Sequence, residues 1–260
     1  MTARTGFYPN VIALQTLLSK EISRFMRIWS QTLLPPAITM SLYFIIFGKF
    51  IGSQIQNIHG YSYIQYIVPG LIMLSLMTNA YSNTASSFFL TKFNKSIEEM
   101  LVSPMLNLIL LLGFTLGGMV RGLLVGIIVM IISLLFTHIP CQHPGIILIT
   151  ATLAAMIFSL GGLINGIYAK RFDDVAFVPT FILTPLTYLG GVFYSIYQLP
   201  TVWHIISLCN PILAIVDTFR YGFLGVSDIN IFWGMVFICI LLLFVFLWAW
   251  MLLKKGVGKA

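Results

Sequence analysis

Apolar and polar positions follow two patterns along this chain. Between Asn10 and Trp29 the apolar residues Val11, Leu14, Leu18, Ile22, Phe25 and Trp29 return every three or four positions, while Lys20, Arg24 and Arg27 fall on another face. That period predicts an amphipathic helix over 10–29 lying in a membrane surface, its cationic side turned to anionic head groups of membrane lipids. Further on the pattern coarsens into six apolar stretches, 32–52, 62–90, 107–137, 145–169, 175–193 and 230–253. Each is long enough as a helix to cross a hydrocarbon core about 30 Å thick. Residues 194–228 are too polar for a simple span and are broken by Pro200, Pro211, Gly222 and Gly225. Apolar patches at 202–208 and 212–224 predict two short helices dipping into the outer leaflet, because nonspanning backbone at membrane depth must be covered by protein or face water. The expected fold is an all-α integral membrane protein, one transmembrane domain over 1–260 with six transmembrane helices, an N-terminal interfacial helix and two short re-entrant outer helices before the last span; no internal repeat interrupts it.

Composition agrees, since 59% of the residues are hydrophobic and 8% charged, against roughly 25% charged in soluble domains. The net charge of +7 does not call for a nucleic-acid partner, because the basic residues sit in small groups between apolar spans. Threading six spans puts Arg4, Lys20, Arg24, Arg27, Lys92, Lys95, Lys170, Arg171, Lys254, Lys255 and Lys259 on one side and only Lys49 and Arg220 on the other. By the positive-inside rule both termini are cytoplasmic. Tyr61, Tyr63, Tyr194, Tyr197, Trp203 and Trp233 then fall at the outer interface, and Phe25, Trp29, Trp248 and Trp250 at the inner one. The first 30 residues lack the features of a signal peptide, so the N-terminus is expected to be retained. Three cysteines without a CxxC pair imply neither a disulfide framework nor a zinc site. His138, Cys141 and His143 lie close together in one outer loop, but a metal site needs about four ligands in fixed geometry, so a plain polar loop is expected and no metal.

In the third span Gly118, Gly122 and Gly126 fall four apart, on a face where another backbone can approach. Arg121, about fourteen residues from the cytoplasmic end of that span, either snorkels, lines a cytoplasm-facing cavity or pairs with a neighbouring helix. The segment 91–105, TKFNKSIEEMLVSPM, reads as a short cytoplasmic helix that Pro104 ends. Lys92, Lys95, Glu98 and Glu99 give charged partners for a soluble subunit, and Ile97, Met100 and Leu101 an apolar face; from composition alone an ordinary solvated loop accounts for the segment equally. Asp217 and Arg220 stand three apart on the second outer patch, placed to pair.

YIQYIVPGLIML in the second span, IEEMLVSP after it, and TPLTYLGGVFYSIYQLP followed by LCNPILAIVDTFRYGFLG near the end resemble the type-2 ABC transporter permeases, in order and over nearly the whole chain. The likeness is greatest to small bacterial members associated with drugs, lipids or polysaccharides. It implies a homodimer in the bacterial inner membrane with two copies of a separate ABC ATPase on the cytoplasmic side. ATP and Mg belong to that partner, and no cofactor to this chain, which has no GxxxxGK[ST] phosphate loop. It also implies that residues 93–104 are the coupling helix seated in a cleft of the ATPase, with Lys92, Lys95, Glu98, Glu99, Leu101 and Pro104 at that contact. The interfacial helix is a second contact, and the outer helices, with Asp217 and Arg220, close the extracellular side. An export path between protomers would be lined by spans one, two and five, with Phe44, Phe47 and Tyr188, for a hydrophobic or amphipathic cargo. An ion-coupled carrier or a channel is the alternative. The six spans contain no Asp or Glu, where such carriers usually place ionisable groups at the midplane, and no HExxH or nucleophile elbow marks a membrane enzyme.

Overall fold

A computed structural model describes residues 7–52, 54, 55, 57–102 and 105–255, and only the backbone of residues 7, 8, 49, 101 and 102. Within them the chain is helical, and the single β-bridge, Ile58 to Tyr61, pins a loop. The helices are α1 Phe7–Arg27, α2 Trp29–Thr32, α3 Leu34–Ile45, α4 Tyr63–Phe93, α5 Ser96–Val102, α6 Asn107–Ser133, α7 Pro144–Tyr168, α8 Phe172–Val178, α9 Thr184–Tyr188, α10 Thr201–Leu208, α11 Pro211–Leu224 and α12 Ile231–Lys254. Among the described residues five helical stretches are long and apolar enough to cross a bilayer: Trp29–Gly48, Tyr63–Phe93, Asn107–Ser133, Pro144–Tyr168 and Ile231–Lys254.

The expected fifth span is shorter and less regular than its sequence suggests. Here α8 and α9 are joined by a π-helical turn, Pro179–Leu183, giving a run of roughly 17 residues, about 25 Å long, at the lower limit for spanning. Pro179 and Pro185 each lack an N–H for the helical ladder, and the Thr184 hydroxyl donates to the Pro179 carbonyl at 2.9 Å. The run stops at Tyr188, not 193, because Gly190 and Gly191 follow and Gly191 takes a positive φ of 66°. The two outer helices are present: α10 and α11 meet at 84°. Asn210 caps α11 by accepting the Ile212 N–H at 3.0 Å, Pro211 fills its first position, and Gly225 ends it at φ 69°.

Of the five long spans α4 is the most buried, and small residues explain how closely it is held. On one side, a methyl group added to Gly122 of α6 would lie 2.7 Å from the Ala80 Cβ and 2.9 Å from the Leu76 carbonyl. On the other, one added to Gly166 of α7 would lie 3.0 Å from the Ala85 carbonyl. Lipid tails are as apolar as leucine, so helices in a bilayer gain from such close packing and from interhelical hydrogen bonds. Both occur: the Thr84 and Ser159 hydroxyls meet at 2.6 Å, and Ser159 donates to the Thr115 carbonyl at 2.7 Å, tying α4, α6 and α7 together. The expected Gly118, Gly122 and Gly126 face is the one that α4 occupies.

A second glycine face of α6 takes α1. Leu17 lies over Gly113 and Glu21 over Gly117, and the stripe Leu17, Glu21, Phe25 is buried. The helix is thus docked on a span by residues four apart, while Val11 and Trp29, of the apolar stripe expected to lie in the membrane surface, are not covered by protein.

Loops separate to two ends. At one, Tyr61 donates to the Leu224 carbonyl at 2.8 Å, the Gln142 amide to the Tyr61 hydroxyl at 3.1 Å, and the His143 N–H to the Gly222 carbonyl at 2.8 Å. At the other, Leu17, Ile97, Ile167 and Leu253 share one buried cluster beneath α5.

Candidate functional site

Four places gather the residues on which transport chemistry could rest. The first is the elbow between α4 and α5. Lys95 turns the chain there with a positive φ of 58°, after which Ile97 is buried at 1% exposure and fixes α5 to the bundle. Glu98 and Glu99 point away, exposed, at the start of α5, where a helix N-terminus favours negative charge. Lys95 is exposed as well. Lys92 is not free for a partner: its ammonium donates to the carbonyls of Ile167 at 2.8 Å and Ala169 at 3.0 Å. These are the last carbonyls of α7, so Lys92 caps that helix. The side chain of Leu101 and all of Pro104 lie outside the described residues.

The second place is a polar seam where α1, α4 and α6 meet. Arg24 turns inward instead of toward head groups, pairing with Glu21 at 3.2 Å and donating to the Asn83 side-chain oxygen at 2.8 Å. Glu21 is itself buried and accepts from Ser87 at 2.7 Å. Lys20 and Arg27 stay exposed, and they alone keep the cationic face expected of α1. Among the described residues Arg121 meets no carboxylate. It contacts the Asn79 side-chain oxygen at 3.2 Å, that of Asn83 at 3.4 Å and the Thr32 carbonyl at 3.3 Å. A cavity of about 380 Å³ opens beside it, bordered by Ser82, Ser86, Phe89, Phe172 and Thr180.

The third place is a buried ionic clamp at the opposite end. Arg220 and Asp217 pair at 3.5 Å with both side chains out of solvent. The Arg220 guanidinium also donates to the carbonyls of Tyr66 and Gly191 and lies 4.0 Å over the Tyr66 ring, a favourable cation–π position. The Asp217 carboxylate accepts from the Ser227 hydroxyl at 2.7 Å and from the N–H groups of Asp228 and Ile229 at 3.0 Å each. Asp228 extends the clamp, accepting from the Ile196 N–H at 2.9 Å and facing His59 at 3.3 Å. Breaking a buried pair of this kind by removing one partner costs about 3–5 kcal/mol. His143, from the loop with His138 and Cys141, stacks on Tyr221 with ring centres 5.0 Å apart.

The fourth place is aromatic. Phe47 packs on Phe193 at 5.0 Å and on Tyr43 at 5.8 Å, and Tyr188 stacks on Phe193 at 6.0 Å with half its surface open. This joins α3 to α9. Phe44, expected beside them, is instead fully buried against Phe136, in the turn after α6, and belongs to the core.

A model of the ABC-2 type transporter family matches residues 12–224, which takes in the elbow, the polar seam, the aromatic group and the Asp217–Arg220 pair of the clamp. The chain belongs to the ABC-2 type transporter family. It is 51% identical over 247 residues to the inner membrane transport permease YadH of Escherichia coli strain K12, covering 95% of this chain and 96% of that one. The same similarity holds for the YadH permease of Shigella flexneri. Nodulation protein J of Rhizobium leguminosarum bv. viciae is 24% identical over 217 residues, 82% of this chain and 83% of that one. As an ABC-2 protein this chain is the membrane-spanning component of an ABC transporter, and that family implies a partnering ABC ATPase.

Three participants escape a reading of the sequence by spacing. Tyr66 and Asp228 are distant in sequence from the Arg220 and Asp217 they complete, and nothing local marks them. Glu21 did carry a signal: it sits four residues after Leu17 and four before Phe25, a carboxylate in the middle of a buried stripe and three before Arg24.

Proposed function

We propose that this ABC-2 protein is the permease half of an exporter that moves a hydrophobic or amphipathic molecule, such as a lipid, glycolipid, lipid-borne polysaccharide or drug, across the bacterial inner membrane. Two copies form the pathway, and two ATPase subunits, which hold ATP and Mg, dock on the cytoplasmic side where both termini lie. The observation that carries this reading is α5: a short helix anchored by Ile97 in the core and presenting Glu98 and Glu99 outward. A partner that grips those carboxylates moves a rigid element and not a loose loop. Nucleotide binding then favours one arrangement of the paired bundles, and for a nearly complete shift that preference must reach about 5 kcal/mol.

The inner-membrane location is supported by the likeness to the YadH inner membrane transport permeases. Exposed apolar residues along α3, among them Ile38, Leu42 and Ile45, support a face that meets a second copy or the cargo, with Phe47 and Tyr188 at its aromatic edge. Asp217 and Arg220 hold the outer helices to α4 and would keep the outer side closed.

The test is co-purification with the partner ATPase in lipid nanodiscs, with ATP hydrolysis measured for wild type and for Glu98→Ala, Glu99→Ala together. Weakened assembly or at least a several-fold fall in hydrolysis is the expected result. Unchanged assembly and activity would remove α5 as the coupling element.

A further inference from the structure

The seam around Arg121 carries more positive charge than its surroundings balance. It holds two guanidinium groups, Arg24 and Arg121, and one carboxylate, Glu21, which is already engaged by Arg24 and Ser87. Both guanidinium groups share the single side-chain oxygen of Asn83. Every contact that Arg121 makes is to a neutral oxygen at 3.2 Å or beyond, longer than the roughly 2.7–2.9 Å of a charge-assisted bond to an anion. The Nε of Arg121, the Nε of Arg24 and the amide nitrogen of Asn83 are all buried without a partner. An arginine deep in a membrane protein without a counter-ion is costly, and such residues mark the path of a substrate or ion.

Space lies beside this charge. The cavity of about 380 Å³ that Arg121 lines falls in the range of small-ligand sites. Its lining is mixed: Ser82, Ser86 and Thr180 carry hydroxyls, while Phe89, Leu90 and Phe172 are apolar. Leu90 and Phe172 are exposed at 37% and 55%, and Ser82 and Thr180 are exposed too, so the cavity opens outward along both kinds of wall. A ligand that fits has an anionic head at Arg121 and an apolar body against the aromatic wall.

We propose that this cavity binds the phosphate head group of a lipid-like amphiphile, with Arg121 as its counter-ion. The guanidinium fork matches phosphate oxygens in a way that an ammonium does not. This deepens the exporter reading, on which it rests for calling the ligand a cargo, but the binding itself is measured on the permease alone.

The full chain is purified in a non-ionic detergent and titrated calorimetrically with dioctanoyl phosphatidic acid, with dioctanoylglycerol, which has the same tails and no phosphate, and with inorganic phosphate. Wild type is expected to bind the phosphatidic acid at least ten-fold more tightly than dioctanoylglycerol. Arg121→Gln should abolish that preference, and Arg121→Lys should keep only part of it. Ser82→Phe, an exposed position at the cavity wall, should block the site without touching Arg121, and it decides the matter if Arg121→Gln does not fold. Equal binding of the two lipids, or a preference that survives both Arg121→Gln and Ser82→Phe, overturns the proposal. Inorganic phosphate binding as tightly as phosphatidic acid also overturns it, since the site would then serve a free anion. No ATPase enters the experiment, so loss of lipid binding and loss of ATPase docking are separate failures.

Discussion

Arg220 and Arg121 are both guanidinium groups within the helix bundle, Arg220 fully buried and Arg121 partly, and their surroundings differ. Arg220 has a partner for every nitrogen, including the Asp217 carboxylate, and an aromatic ring beneath it. Among the described residues Arg121 has only neutral oxygens at 3.2 Å or beyond, an unpartnered Nε and a cavity alongside. A buried charge that is fully paired holds elements in register, and removing one member leaves the other stranded. A buried charge left short of partners contributes little to the resting fold and remains available to something that arrives later. The contrast separates a residue that the fold needs from one that the work needs.

The same substitution at both sites would break that contrast most directly. Arg220→Gln strands Asp217 and is expected to destabilise the protein by about 3–5 kcal/mol, read as a large fall in thermal midpoint in detergent. Arg121→Gln removes an uncompensated charge and should leave the midpoint within about 1 kcal/mol of wild type, or raise it; a loss as large as that of Arg220→Gln would erase the distinction. Between these extremes, Gly122→Val forces a branched side chain against Ala80 and the Leu76 carbonyl and should cost about 1–3 kcal/mol through overpacking, by the same measurement. Lys92→Met uncovers two carbonyls at the end of α7, for about 1 kcal/mol, with ATPase docking unchanged in a pull-down because Lys92 faces the bundle. The smallest stability effect belongs to the exposed pair: Glu98→Ala with Glu99→Ala should shift the midpoint by no more than about 0.5 kcal/mol while weakening capture of the ATPase.

Hydropathy and punctuation carried most spans and the glycine face of α6, because these depend on neighbours in sequence. Pro211 and Gly225, read as breaks in the sequence, bracket α11 in the structure. The fifth span ran too far because apolar residues continue beyond Tyr188, while the Gly190–Gly191 turn decides where the helix stops. Arg24 was expected to face head groups, yet it turns into the bundle. A helical period says which residues share a face, but not which face meets protein and which meets lipid, since both are apolar here. The clamp was half visible: the i, i+3 spacing of Asp217 and Arg220 suggested a pair, whereas Tyr66, Asp228 and His59 reach it only through the tertiary fold.

At one end of α4, Lys92 grips the last turn of α7 and the Lys95 corner leads into α5; at the other, Arg220 holds the Tyr66 carbonyl and ring. The 31 residues of α4 measure about 46 Å as a helix, and Pro69, the one proline within it, lies less than a turn beyond Tyr66. Mechanically this is a stiff rod pinned near both tips and seated in two glycine grooves, free to tilt or twist but not to compress. A displacement applied at α5 therefore reaches the far side of the bundle as torque on Tyr66, with no relay of loops in between.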